Sequence, residues 1–406
     1  MGDKGTSDDV DPIALGTRLR EARRARGLTQ DDVARKLGVS RPTLIAVEQG
    51  RRRARPAEIV ALARMYGRDV SQLVHRAPPL SGFVGQFRLG DAEDPSHEKR
   101  PAVDELQQLA ESIVALEQAV GTRASRRYPL PYDIEGLGAA AAAEQVADSE
   151  RRRLGLGDGP LPQLREILEN DVGLLVFAVP MPARVAALFG YAEPAGGCVA
   201  INARHPHERQ RWSLAHEYAH FLTTRYAAEV SEVEAARSSA GERFADAFAG
   251  HFLMPALGLT RRYTALRRSR GGGFSAGDLL QLAALYEVSA QAMALRLENL
   301  RLLASGWWKD LRSRKLRVDE ARGLVGLQAP PADVELLPLR YRYLAAEAYC
   351  DGTLSEGQLA KLLRMDRLAA RVLVQRLVAT AEVGSDGGVV SLSYEPSDAV
   401  TDDATG

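Results

Sequence analysis

Cysteine is scarce in this chain. Two cysteines, Cys198 and Cys350, occur among 406 residues, too few for a disulfide framework and with no CxxC metal knuckle. No apolar run approaches the ~18 residues that a membrane span needs. The opening MGDKGTSDDVD has neither the basic nor the apolar region of a signal peptide. A cytoplasmic protein with no membrane partner is therefore expected. No internal repeat is evident. Net charge is lacking as well, because 53 Lys and Arg balance 53 Asp and Glu, so total charge excludes no partner. An apolar share of 45% and a charged share of 26% fit an ordinary globular protein, and the length predicts two or three domains.

The distribution of charge is more telling than its sum. Residues 15–76 hold fifteen Arg or Lys against six Asp or Glu, a basic module on a remainder that must be acidic. Its pattern is short helices and tight turns. Leu15, Leu19 and Ala22 recur at helical spacing until Gly27. Thr29 is placed to cap a second helix from Gln30 to Leu37, Gly38 to make the turn, and Ser40 to cap a third with Pro42 in its first turn. Helix, Gly-containing turn, helix is the helix-turn-helix layout.

The stretch GLTQDDVARKLGVSRPTLIAVEQGRR resembles the XRE (Cro-type) family of DNA-binding domains. The resemblance implies double-stranded DNA as partner, with the third helix in the major groove. Its first residues, Ser40, Arg41, Pro42 and Thr43, would face base edges, and Arg41 could take guanine O6 and N7 together. Gln30 would anchor to a phosphate. Arg51, Arg52, Arg53 and Arg55 would add salt-sensitive backbone contacts. The family commonly binds paired half-sites as a homodimer. The competing reading is a solvated basic face on a protein-interaction module.

Residues 77–101 are rich in Pro, Gly and charge and read as a linker. Val103, Leu106, Leu109, Ile113, Leu116 and Val120 then mark an amphipathic helix. Leu137 to Leu154 reads as another helix, and Pro162 to Asn170 begins the next. VGLLVFAVP (172–180) is a buried strand, and ALFGYAEPAGGCVAIN (187–202) is two strands around a turn. The expected fold is mainly α with a small sheet: an all-α helix-turn-helix domain (13–76), a central α+β domain with its preceding helices (102–265), a helical C-terminal region (266–384) and a tail (385–406) that is flexible apart from a strand at 389–393. Within the helical region, FSAGDLLQLAALYEVSAQAMALRLENLRLL (274–303) has a helix-turn-helix layout of its own and reads as structural support.

RWSLAHEYAH (211–220) contains an H-E-x-x-H run. With seven histidines and twenty-eight glutamates in the chain, chance supplies about 0.01 such runs. His216 and His220 lie four apart, on one face of a helix, and can reach one metal ion. Glu217 is turned away by about a quarter turn and is placed to act on water as a base. Hydrolytic zinc needs a third protein ligand and an open position. SAGERFADAFAGHFLMP (239–255) supplies Glu242 for it, and Asp246, one turn on, to hold a ligand histidine by its outer nitrogen.

RQRWSLAHEYAHFL followed by ERFADAFAGHFLMP resembles the ImmA/IrrE family of zinc metallopeptidases. Asp246 stands where that family usually has Asn. The resemblance implies a zincin-like fold for the central domain, Zn2+ at His216, His220 and Glu242, and peptide hydrolysis with Glu217 as base. It also implies a protein substrate such as an XRE-type repressor, in a bacterial stress or mobile-element switch. Tyr218, Tyr226, His205, His207 and His251 all stay open as the group that stabilises the oxyanion, although His251 reads better as a histidine satisfied beside apolar packing. Two functions stand side by side: a DNA-binding metallo-endopeptidase, or a transcription factor whose zinc domain senses a ligand or stress without cutting.

Overall fold

The computed structural model describes residues 12–66, 70, 73, 100–122, 126, 128–134, 136–225, 229–232, 240–328, 335–378, 380–383 and 389–392. The chain divides into two compact units, residues 1–79 and 80–406.

The first unit holds α1 (Pro12–Ala25), α2 (Gln30–Leu37), α3 (Arg41–Glu48) and α4 (Pro56–Tyr66). The Thr29 side chain accepts the backbone N–H of Asp32, and Ser40 accepts that of Thr43, so both helix starts are capped as their sequence requires. Gly38 turns between them at φ 73, a left-handed conformation that glycine adopts without steric cost. Leu19, Val33, Leu44, Leu62 and Tyr66 close the core. Through it runs a buried ion pair: Arg23 donates to both oxygens of Glu48, at 2.6 and 3.0 Å.

The second unit is built on a sheet of order β1-β3-β2-β4. Before the sheet come α5 (Arg100–Val120), α6 (Ala139–Arg153) and the short α7 (Leu164–Ile167). Arg100 and Pro101, expected as linker, already belong to α5, because proline in a first helical turn loses no hydrogen bond. The rest of that expected linker lies outside the described residues. Strand β1 (Leu175–Val179) runs parallel to β3 (Gly196–Asn202), with Leu175 opposite Cys198. Strand β2 (Val185–Ala192) is antiparallel to β3, and β4 (Glu229–Glu232) is antiparallel to β2.

Alternation along these strands divides the unit into two cores. Val176, Ala178, Phe189 and Val199 face one core, shared with α6, with α8 (His207–Thr224) and with α9 (Ala240–Leu253). Leu175, Phe177, Leu188 and Cys198 face the other. That second core is closed by α5 and by three late helices, introduced below. Helices therefore cover both faces, and every described strand residue of β1 and β3 is buried.

On the first face follow α10 (Ala256–Ser269), α11 (Ala276–Tyr286), α12 (Ala290–Asn299), α13 (Trp307–Ser313) and α14 (Val318–Leu324). Helix α10 continues through the boundary expected at 265–266, since nothing breaks it before Gly271. The backbone of α10 lies so close to the loop after α6 that a Cβ on Gly258 would meet the Asp158 carbonyl oxygen at 1.7 Å. Helices α15 (Leu339–Cys350), α16 (Glu356–Leu363) and α17 (Arg367–Val378) contribute Tyr341, Leu344, Leu359 and Val374 to the second core. This late helical region thus completes the sheet's other face, and α11 with α12 belongs to the first core. A hairpin, β5 (Thr380–Val383) with β6 (Val389–Leu392), follows. Strand β6 falls where the tail's strand was expected, at 389–393; the other tail residues lie outside the described ones. Among the described residues no helix is long and apolar enough to cross a membrane.

Candidate metal centre and nucleic-acid interface

Helices α8 and α9 pack against each other and bring the two halves of the candidate site together. Helix α8 is sealed on almost every side, with Leu214, Tyr218, Phe221 and Leu222 in the first core. His216, Glu217 and His220 are buried with it, at 6%, 0% and 3% exposure. From α9, Phe244, Phe248 and Phe252 enter the same core, and this turns Glu242 toward the histidines. The Nε2 atoms of His216 and His220 are 3.2 Å apart. Glu242 places Oε2 at 3.3 Å from the first and Oε1 at 3.3 Å from the second.

Those spacings can be tested against a metal. Donors about 2.0–2.1 Å from one tetrahedral zinc lie roughly 3.3–3.4 Å from one another. The three residues present a matching triangle, their ligand atoms all within 4.8 Å, and two imidazoles with one carboxylate are donors that zinc takes. The residues fit the ion. On the far edge of the His216 ring, Nδ1 faces Asp246 Oδ1 at 3.2 Å. That contact leaves Nε2 as the nitrogen available to a metal.

The electrostatics favour a cation. Burial pushes His216 down, but its hydrogen bonds to Asp246 and Glu242 and the charges of Glu217 and Glu242 outweigh that and lift it to about 10. Burial pushes Glu242 up, and the two histidines overcome it and hold the carboxyl down to about 2. Asp246, Glu242 and Glu217 around His216 thus favour positive charge at this point.

The open oxyanion candidates separate. The Tyr218 hydroxyl donates to Glu150 and accepts from Arg153 at 3.1 Å, so it is committed elsewhere. His205 lies against the Ala183 carbonyl at 2.9 Å, and His207 beside Glu287 at 3.7 Å. His251 accepts from Arg296 at 3.3 Å and is held down to about 4 by burial and the Arg296 charge. It is a neutral, satisfied histidine. Tyr226 lies outside the described residues.

Glu150 was not legible in the sequence as part of this region. It is fully buried and gathers Tyr132 at 2.8 Å, Arg153 at 2.7 Å and Tyr218. This network ties α6 to the helix that carries the histidines. Sixty-eight residues separate Glu150 from Tyr218, so no local spacing could have joined them. Arg211 and Arg151 act similarly: Arg211 donates to carbonyls of Leu161, Pro162 and Glu287, and Arg151 to those of Gly157, Gly159 and Phe252.

In the first unit, Ser40, Arg41, Pro42 and Thr43 form the start of α3; the first three are exposed and Thr43 is half-buried. Arg41 lies 3.4 Å from Asp31 on the surface. Gln30 donates to Glu48 at 3.0 Å, so one amide N–H is already engaged inside the domain. Arg52 makes a two-pronged pair with Glu58, both arms 2.9 Å, and its donors serve the fold before any phosphate. Arg51 contacts Gln49.

Comparison with known proteins agrees with both halves. Residues 169–298 match the family described as IrrE N-terminal-like domain, and residues 14–75 match the family described as helix-turn-helix domain. Over 57 residues, 14% of this chain and 80% of the relative, the chain is 46% identical to a protein of Methanothermobacter thermautotrophicus described as an uncharacterized HTH-type transcriptional regulator.

Proposed function

Because the chain belongs to the XRE-like helix-turn-helix transcriptional regulators and carries an IrrE-like peptidase domain, we propose that it is a DNA-binding, zinc-dependent endopeptidase that controls transcription by cutting another protein. The observation that carries this reading is the donor triangle of His216, His220 and Glu242 with Glu217 buried on the same helix. The family resemblance makes a repressor of the same helix-turn-helix type the substrate to try first.

His216, His220 and Glu242 would hold the zinc. Bound there, zinc supplies a Lewis acid that polarises the scissile carbonyl and acidifies water toward ~7. Asp246 fixes the tautomer and plane of His216 through Nδ1. Glu217 takes the proton of the attacking water and passes it to the leaving amide nitrogen. Full burial of Glu217 excludes bulk water from that transfer and strengthens the fields that direct it.

The test is Glu217→Gln in the full chain. Zinc content stays near one per chain, and cleavage of a co-expressed repressor is lost. If parent and variant both leave every candidate substrate intact and both bind DNA, the reading fails in favour of a regulator that senses through its zinc domain.

A further inference from the structure

The second unit is net acidic, but one stretch of it is strongly basic. Between Arg261 and Arg317 the sequence has twelve Arg or Lys and four Asp or Glu. Residues 15–76 carry another large excess of positive charge, so on a neutral chain the remainder sums to a strongly negative charge. Eleven of the twelve cations are exposed: five arginines from Arg261 to Arg270, and six Arg or Lys from Arg301 to Arg317. Four of the eleven are paired with carboxylates, Arg261 with Asp158, Arg270 with Asp278, Arg314 with Asp310 and Arg317 with Glu320, and the four carboxylates within the stretch are too few to balance the rest. Asp278 is buried, 3.3 Å from Arg270. Glu287 is paired with Arg211 at 2.9 Å. Glu298 accepts the backbone N–H groups of Gly306 and Trp308, at 2.9 and 2.8 Å. Asp310 alone of the four is exposed.

The two cationic segments meet. Tyr263 of α10 donates its hydroxyl to the Leu302 carbonyl at 2.6 Å. Its ring lies 4.8 Å from that of Phe274, which lies 6.1 Å from Trp307 at the start of α13. Arg267 sits over the Tyr263 ring. Arg267 therefore borders an aromatic cluster to which both segments contribute. Arg301 and Lys315 occupy left-handed backbone, at φ 57 and 56, where glycine is favoured.

We propose that this surface binds the phosphate backbone of duplex DNA, as a second, sequence-independent contact additional to the helix-turn-helix unit. A net-cationic, arginine-rich surface on an acidic body is a polyanion site by charge complementarity. A membrane surface asks for apolar side chains to insert, and the large apolar residues exposed between Arg261 and Arg317 are only Leu285 and Leu295. An acidic protein would meet the same cations. Duplex DNA, however, is brought to this chain by its own helix-turn-helix unit, and a second site on a tethered body meets it at high effective concentration.

The test uses the full chain, a 30-base-pair duplex of arbitrary sequence and fluorescence anisotropy over a salt series. Arg268→Gln, Lys309→Gln, Arg312→Gln and Lys315→Gln are combined. Each phosphate contact contributes about −0.9 to the slope of log K against log salt. The combined variant is expected to show a slope shallower by about 2 to 4 and affinity at 0.1 M salt at least tenfold weaker, with an unchanged thermal melt. Arg268→Lys with Arg312→Lys, which keeps the charge, binds as the parent does. A slope that moves by less than one overturns the proposal. So does loss of retention on phosphatidylserine vesicles, or on an acidic peptide, with DNA binding unaltered.

Discussion

Replacing Asp246 by Ala removes the oxygen that faces His216 Nδ1 at 3.2 Å. The ring then loses both the acceptor that selects its tautomer and the contact that fixes its plane. Orienting partners of this kind contribute about 10–100-fold to metal affinity, or roughly 1.4–2.7 kcal/mol. The Asp246 side chain is 39% exposed, so water screens part of its charge, and the loss belongs near the lower end, about tenfold. Asp246→Asn keeps an acceptor at the same place and restores the residue usual in the resembling family; it should bind zinc within a few-fold of the parent. The measurement is competition with a chromogenic chelator. His216, lifted to about 10 in the metal-free site, gives up a proton as zinc enters, so all variants are compared at one buffered pH. An Ala variant that binds as tightly as the parent would refute the orienting role, as would an Asn variant as weak as Ala.

Three further outcomes concern the frame around the site. Gly258→Ala gains up to ~1 kcal/mol of helix propensity but forces a methyl onto the Asp158 carbonyl at 1.7 Å. Overpacking of about 1–3 kcal/mol should dominate and lower the melting temperature; a higher one would refute the close approach. Tyr218→Phe takes one donor from the buried Glu150 and leaves it Tyr132 and Arg153. It should cost about 1–2 kcal/mol in urea unfolding with zinc content unchanged, and loss of zinc would place Tyr218 in the metal site instead. His251 titrates near 4 when folded and about 6.5 when unfolded, so between those values the unfolded chain binds more protons. Stability is lost as pH falls from 6.5 toward 4. His251→Gln should flatten that part of the profile of urea midpoint against pH, and an unaltered slope would show that other groups carry it.

Much of the local structure was legible because its causes are local. Thr29, Gly38 and Ser40 dictate the helix-turn-helix through caps and a left-handed turn, and the short apolar runs in 172–202 marked the strands. His216, Glu217 and His220 could be placed on one helix by counting, since a four-residue step returns to the same face. Helix ends were less legible: α5 begins at Arg100 and α10 runs past 265, because neither position carries a residue that stops a helix.

What the sequence by itself determined is which groups are present and how they lie along each helix: two imidazoles and a base on one, two carboxylates one turn apart on another, and a basic capped module ahead of them. Tertiary structure alone decided their meeting. Burial of Phe244, Phe248 and Phe252 against Tyr218 and Phe221 rotates α9 until Glu242 stands 3.3 Å from both histidines. The same packing commits Tyr218 to Glu150 and sends α15 to α17 to the other side of the sheet. These are contacts between residues tens to hundreds of positions apart, fixed by which apolar faces can be buried together, and no spacing within a helix encodes them.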